Sequence, residues 1–303
     1  MGNCTSENNS PLKYIQLQKD ILLGHKNAVS CLIKLNESLL GSGSEDKTIK
    51  IWDFLNSTCI KTLYGHKDNV KSIIKIDEGN IASGSSDKTI KIWDLVSFSC
   101  TRTLIDHTGY VNSLINLNEN HFISSSEDKL IKIWDFVNGK CIKTLSGHEL
   151  GVRALVKIDD NYIASGSEDK IVRIWNILTS NCYICLSEHS SFVNSLCILP
   201  NYTLASASND YSIKIWDLIK FECKKTLVGK DCHKLGVQVI IKVNDSIMVS
   251  GSFDYTIKLW NIESYECIAT LTGHEGYIKA IIVLSLTQII SGSSDNSIKI
   301  WKI

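Results

Sequence analysis

The chain has 303 residues, 44% of them hydrophobic and 21% charged, which supplies enough apolar surface for a large core and excludes a disordered polymer. Lysine plus arginine and aspartate plus glutamate number 32 each, so no net field draws a polyanion and nucleic acid is the disfavoured partner class. No run approaches the roughly 18 consecutive apolar residues of a membrane-spanning helix, and eleven cysteines with no apolar leader before them read as reduced thiols of a cytoplasmic protein.

In chain order, Met1-Gly2-Asn3-Cys4-Thr5-Ser6 comes first and fits the N-myristoylation pattern, with Gly2 as acceptor and Ser6 at the required position. Cys4 is placed for palmitoylation, the second anchor that a single acyl chain needs for stable membrane contact. Residues 1–11 are expected to form a disordered, lipidated tail and residues 12–303 a single domain.

From Tyr14 onward the sequence repeats itself. Tryptophans stand at Trp52, Trp93, Trp134, Trp175, Trp216, Trp260 and Trp301, separated by 41, 41, 41, 41, 44 and 41 residues. Histidines at His25, His66, His107, His148, His189, His233 and His274 keep the same step. An aspartate follows each by 21 residues, and the tryptophan comes six later. Unit two shows the local pattern: Ile81-Ala82-Ser83-Gly84-Ser85, a turn at Ser86-Asp87-Lys88, then Thr89-Ile90-Lys91-Ile92-Trp93. Alternating β-branched residues interrupted by turn formers predict strands. Each unit reads as four: one after the histidine, two flanking the aspartate turn, and one carrying Cys-x-x-Thr-Leu before the next histidine. Ile303 follows the third strand of unit seven, and Tyr14–Leu22 stands where every other unit has its fourth. The two ends are therefore expected to share one sheet.

Iterated Gly-His (Gly24-His25, Gly65-His66, Gly147-His148, Gly273-His274) and Trp-Asp (Trp52-Asp53, Trp93-Asp94, Trp134-Asp135, Trp216-Asp217) resemble the WD40 family over residues 14–303. The resemblance implies an all-β, seven-bladed propeller of four-stranded antiparallel blades, closed by the N-terminal strand in blade seven. Departures fall in the less constrained partner of each dipeptide: Asp106, Glu188 and Cys232 before histidine, Asn176, Asn261 and Lys302 after tryptophan. In the family a histidine, a strand serine, the turn aspartate and the tryptophan ring nitrogen form a relay, here His66, Ser83, Asp87 and Trp93 with Ser85 as the other candidate serine. A Ser-His-Asp set could suggest hydrolase chemistry. Seven copies indicate scaffold instead.

The resemblance also places partner recognition at one mouth of the ring, three and five residues after each histidine and one before each turn aspartate. There the repeats disagree with one another. Tyr110, Phe192 and Tyr277 occur at the first position, Lys71, Arg153 and Lys279 at the second, and Phe253 at the third. Aromatics beside cations are anchors of protein interfaces, so these seven are the candidate protein-binding residues. The three extra residues of unit six, within Val228-Gly229-Lys230-Asp231-Cys232, are expected on the same mouth beside Phe253. Cys182-x-x-Cys185 has a redox or half-zinc spacing, but an extended strand is expected to point the two thiols to opposite faces.

No catalytic set, cofactor or metal is expected, and no P-loop or metalloprotease motif occurs. The expectation is a non-enzymatic scaffold or adaptor, monomeric within a larger complex, whose partners are other proteins or peptide segments. Rival readings are a substrate receptor of a ubiquitin ligase or chromatin-modifying assembly, and a hydrolase-like propeller enzyme. The first lacks an F-box-like region and the Trp-Asp-x-Arg signature, since Leu55, Val96, Val137 and Ile219 occupy the arginine position.

Overall fold

The computed structural model describes residues 17–303. Gly2, Cys4 and the rest of residues 1–16 lie outside the described residues. Seven four-stranded antiparallel sheets follow one another along the chain. Blade two is representative, with strands Val70–Lys75, Asn80–Ser85, Ile90–Asp94 and Ser99–Leu104 running in sequence from the ring centre to its rim. Its third strand, Ile-Lys-Ile-Trp-Asp, buries both isoleucines and the tryptophan. The outer strand is exposed except at Leu104.

No blade buries its faces alone. Ile74, Ala82, Ile90, Ile92 and Leu104 of blade two form one apolar cluster with Val111, Leu114, Phe122 and Trp134 of blade three. Similar clusters recur around the ring, so each tryptophan fills the gap to the preceding blade. At roughly 25 cal/mol per Å² of apolar surface removed from water, these inter-blade layers are the main stabilising term.

The ring closes as expected. Leu17–Leu23 pairs antiparallel with Ser297–Lys302, with Leu22 opposite Ile298. Leu22, Ile290, Ile298 and Ile300 then pack against Val29, Leu32, Leu40 and Trp52 of blade one. Closure pairs the outer edge of blade seven and leaves no open seam between first and last units.

One expectation is corrected here. In the six blades whose outer strand follows the third in sequence, the register shifts at the tryptophan, as between Ile92 and Trp93. Trp175 pairs with Cys182 and Arg173 with Cys185, so the outer strand spends three residue steps where its neighbour spends two. This β-bulge cancels the alternation of an extended strand. Cys182 and Cys185 face the same side, their sulfurs 3.7 Å apart.

Candidate protein-binding surface at the channel mouth

The loops at the mouth are held by a buried relay. In blade two, Trp93 Nε1 donates to Ser83 Oγ at 2.8 Å, Ser83 Oγ lies 2.7 Å from His66 Nε2, and His66 Nδ1 lies 2.8 Å from Asp87 Oδ2. The indole can only donate, so Ser83 accepts from Trp93, and a serine hydroxyl that passes its own proton to Nε2 leaves Nδ1 as the donor to the Asp87 carboxylate. The histidine–serine link recurs in all seven blades, as does the histidine–aspartate link. Ser85 acts elsewhere, donating to the Asp68 carbonyl at 3.0 Å and accepting from the Asp87 amide at 3.0 Å, which tightens the turn.

In four blades burial favours the neutral ring. Burial pushes His25, His148, His233 and His274 below the ordinary imidazole range, outweighing the neighbouring aspartates. Burial would raise Asp46, but hydrogen bonds from the Thr48 hydroxyl, the Lys26 amide and His25 bring it down to about 2. Asp128 and Asp169 also lie at about 2, where bonds from His107 and His148 outweigh burial. Each relay serine is fully buried and spends its hydroxyl on two partners, so the repeated set performs structural work.

Above the relay, a second repeated bond joins two loops of every blade. The residue before the turn aspartate donates its amide to the carbonyl three after the histidine: Glu127 to Tyr110, Asn209 to Phe192, Phe253 to Gly236 and Ser294 to Tyr277, at 2.9–3.0 Å. Blades one, two and four repeat it. Each blade thus delivers these side chains to the same end of the channel. The residues five after each histidine close the ring there, one per blade, around a cavity of about 380 Å³.

All seven predicted site residues come to this mouth, in pairs that cross blade boundaries. The Lys71 ammonium lies 5.6 Å from the Tyr110 ring centre, and the Arg153 guanidinium 5.0 Å from that of Phe192. Phe253 and Tyr277 meet edge to face at 4.7 Å. Lys279 pairs with Glu45 across the closure between blades seven and one. Arg153 donates from Nε to Glu168 Oε1 at 2.7 Å and from Nη1 to Asn194 Oδ1 at 3.3 Å. Among the described residues Lys71 has no ion-pair partner. Burial, reinforced by Arg153, pushes its ammonium below the usual lysine range, while Glu127 pulls it upward.

Sequence reasoning missed Tyr255. Each turn aspartate is followed by a residue of positive φ, and in blade six this is Tyr255 at 69°. That backbone brings its ring 5.6 Å from Tyr277, extending the aromatic group. The available signal was an aromatic where four of the repeats carry lysine, two residues after the candidate Phe253. The blade-six insertion leads into His233, whose ring bonds Asp254 beside Phe253. Val228, Lys230, Asp231 and Cys232 border a depression with Trp260, Tyr265 and Cys267, a group sharing no residue with the channel cavity.

Comparison with known proteins accords with this geometry. The family described as "WD domain, G-beta repeat" matches seven successive segments, 16–53, 57–94, 98–135, 139–176, 180–217, 221–261 and 265–302. A curated relative, "Probable E3 ubiquitin ligase complex SCF subunit scon-2" of Neurospora crassa, is 49% identical over 43 residues, which is 14% of this chain and 6% of that protein. That stretch is about one repeat long, and the chain spans only a small part of that protein's length. Seven matched segments, seven four-stranded sheets and a relay in every blade lead to one assignment: the chain belongs to the WD40 repeat family.

Proposed function

We propose that this protein is a non-enzymatic scaffold or adaptor that receives a protein or peptide segment at the channel mouth. The observation that carries the reading is the convergence of the positions that vary between repeats on one surface, where they assemble into paired aromatics and cations. Tyr110 and Tyr277 stand 45% and 41% exposed there, accessible to a partner while supported by their neighbours. Such half-supported aromatics bind at low entropic cost. Lys71, which has no ion-pair partner among the described residues, suits an acidic side chain on the bound segment. The family supports a binding role, and the relay accounts for the recurrent Ser-His-Asp set without chemistry.

The test compares proteins captured by the wild type with those captured by Lys71→Ala/Tyr277→Ala, after thermal denaturation has shown both chains equally folded. Loss of specific partners supports the mouth as the binding surface. Unchanged partners would move the site to the blade rims.

A second reading, a substrate receptor in a ubiquitin ligase, is favoured by the short likeness to the Neurospora subunit. Co-purification of ligase components with the full chain supports it. Cytoplasmic residence with tethering at Gly2 and Cys4 completes the proposal and rests on the sequence pattern alone.

A further inference from the structure

Blade four breaks the rule of its neighbours at positions that meet in space. In blades one, two, five and six a lysine of the third strand donates to a threonine of the outer strand at 2.8–2.9 Å, with the repeat cysteine behind that threonine. Blade four has Arg173 for the lysine and Cys185 for the threonine. Arg173 Nη1 lies 3.1 Å from Cys185 Sγ and 3.8 Å from Cys182 Sγ, and the two sulfurs are 3.7 Å apart. Among the described residues Arg173 Nε is buried without a hydrogen-bond partner. Neutral thiols are weak acceptors, so this guanidinium gains most when one of the pair is a thiolate.

The backbone permits closure. Cys182 and Cys185 lie opposite Trp175 and Arg173, two residues apart on the neighbouring strand. A rise of about 3.3 Å per residue places their Cα atoms roughly 6.6 Å apart, inside the approximately 4.4–6.8 Å span of disulfides. Cys185 is exposed and Cys182 half-buried, so a small oxidant reaches the pair.

We propose that Cys182 and Cys185 form a reversible dithiol–disulfide couple on the rim of blade four, oxidised by exchange with a low-molecular-weight disulfide such as glutathione disulfide, with Arg173 as its positioning residue. Cys185, the exposed member, attacks as a thiolate. One sulfur–sulfur bond of the oxidant breaks, one glutathione thiolate leaves, and a mixed disulfide forms on Cys185. Cys182 then gives its proton to solvent and attacks Cys185 Sγ, expelling the second glutathione thiolate. The protein loses two electrons and two protons; the oxidant becomes two glutathione thiols. Excess glutathione runs the steps backward. Burial and the neighbouring Cys182 push the Cys185 thiol above its usual range while Arg173 pulls it back, so closure accelerates as pH rises.

The experiment equilibrates the full chain in glutathione buffers of increasing oxidised fraction, traps free thiols by alkylation and digests with chymotrypsin, which cuts between the cysteines at Tyr183. Cys182 and Cys185 are expected to lose reactivity together, and the fragments flanking Tyr183 to remain joined until reduced. Cys185→Thr restores the threonine of the other blades, so it folds and abolishes the joined species. Arg173→Met is expected to slow closure at neutral pH by roughly 3–10-fold and to shift the pH–rate profile upward. Persistent alkylation of both thiols in oxidising buffer, or a stable glutathione adduct on Cys185 beside a free Cys182, overturns the couple. A pH profile unchanged in Arg173→Met overturns the positioning role.

Discussion

Replacing Ser125 with alanine is expected to stabilise the protein. Ser125 is completely buried and its hydroxyl has no hydrogen-bond partner among the described residues. The equivalent positions hold Gly43, Gly84, Gly166, Gly251 and Gly292, and Ala207 in blade five. Space there is short: a Cβ on Gly84 would meet Val111 at 2.6 Å. Ala207, buried in the cluster around Val237, shows that one methyl group is accommodated in this fold. An orphaned buried hydroxyl costs about 1–3 kcal/mol. Removing the oxygen leaves a void smaller than a methyl group, so the net gain is about 1 kcal/mol. With an unfolding entropy of roughly 2.1 cal/mol/K per residue, that raises Tm by about 1.5 °C in a chain of this size. Urea denaturation should show a higher midpoint at unchanged slope. Ala207→Ser should move the midpoint the opposite way by a similar amount. A lower midpoint for Ser125→Ala would refute the reasoning, because it would mean that the hydroxyl is satisfied.

His148→Ala should cost about 3 kcal/mol in the same assay, because it strands Asp169 and Ser165 in a buried site. Asp53→Asn should change stability by less than about 0.5 kcal/mol, since Asn176 and Asn261 already accept the same turn amides in blades four and six. Stability should fall in two stages on acidification, followed by circular dichroism. His25, His148, His233 and His274 have folded values depressed below 6.5, so the unfolded chain takes up protons first and stability declines as pH drops below 6.5. Asp46, Asp128 and Asp169, held at about 2 against an ordinary 3.8, add a further loss as pH falls from 3.8 toward 2. Gly2→Ala should shift the protein from the membrane to the soluble fraction of fractionated cells, and an unchanged distribution would remove the lipid anchor.

The departures from the repeat show what a sequence pattern does and does not encode. Trp-Asn serves as well as Trp-Asp because the turn needs only a side-chain oxygen: Asp53 Oδ1 accepts from Leu55 and Asn56, and Asn176 Oδ1 from Leu178 and Thr179. The relay tolerates no such exchange, since it runs from an indole that only donates, through serine and histidine, to a carboxylate that only accepts, and its spacing is therefore the most legible feature of the chain. The dipeptide glycine is intermediate. Where Asp106 replaces it, Lys132 of the third strand pairs with the new carboxylate at 2.6 Å; where Glu188 does, Lys214 keeps Thr226 at 2.9 Å and adds the carboxylate at 3.4 Å. The fold was readable because its determinants repeat. The mouth was readable only as a set of positions, because its pairings join different blades: Lys279 reaches Glu45 across 234 residues. The cysteine pair was misread for a local reason. Alternation predicts opposite faces for residues three apart, and a bulge that the outer strands of blades one to six share reverses the answer. In the other blades that reversal brings cysteine to threonine and is chemically silent. Only where blade four substitutes a second thiol and an arginine does the same backbone irregularity create a group with chemistry of its own.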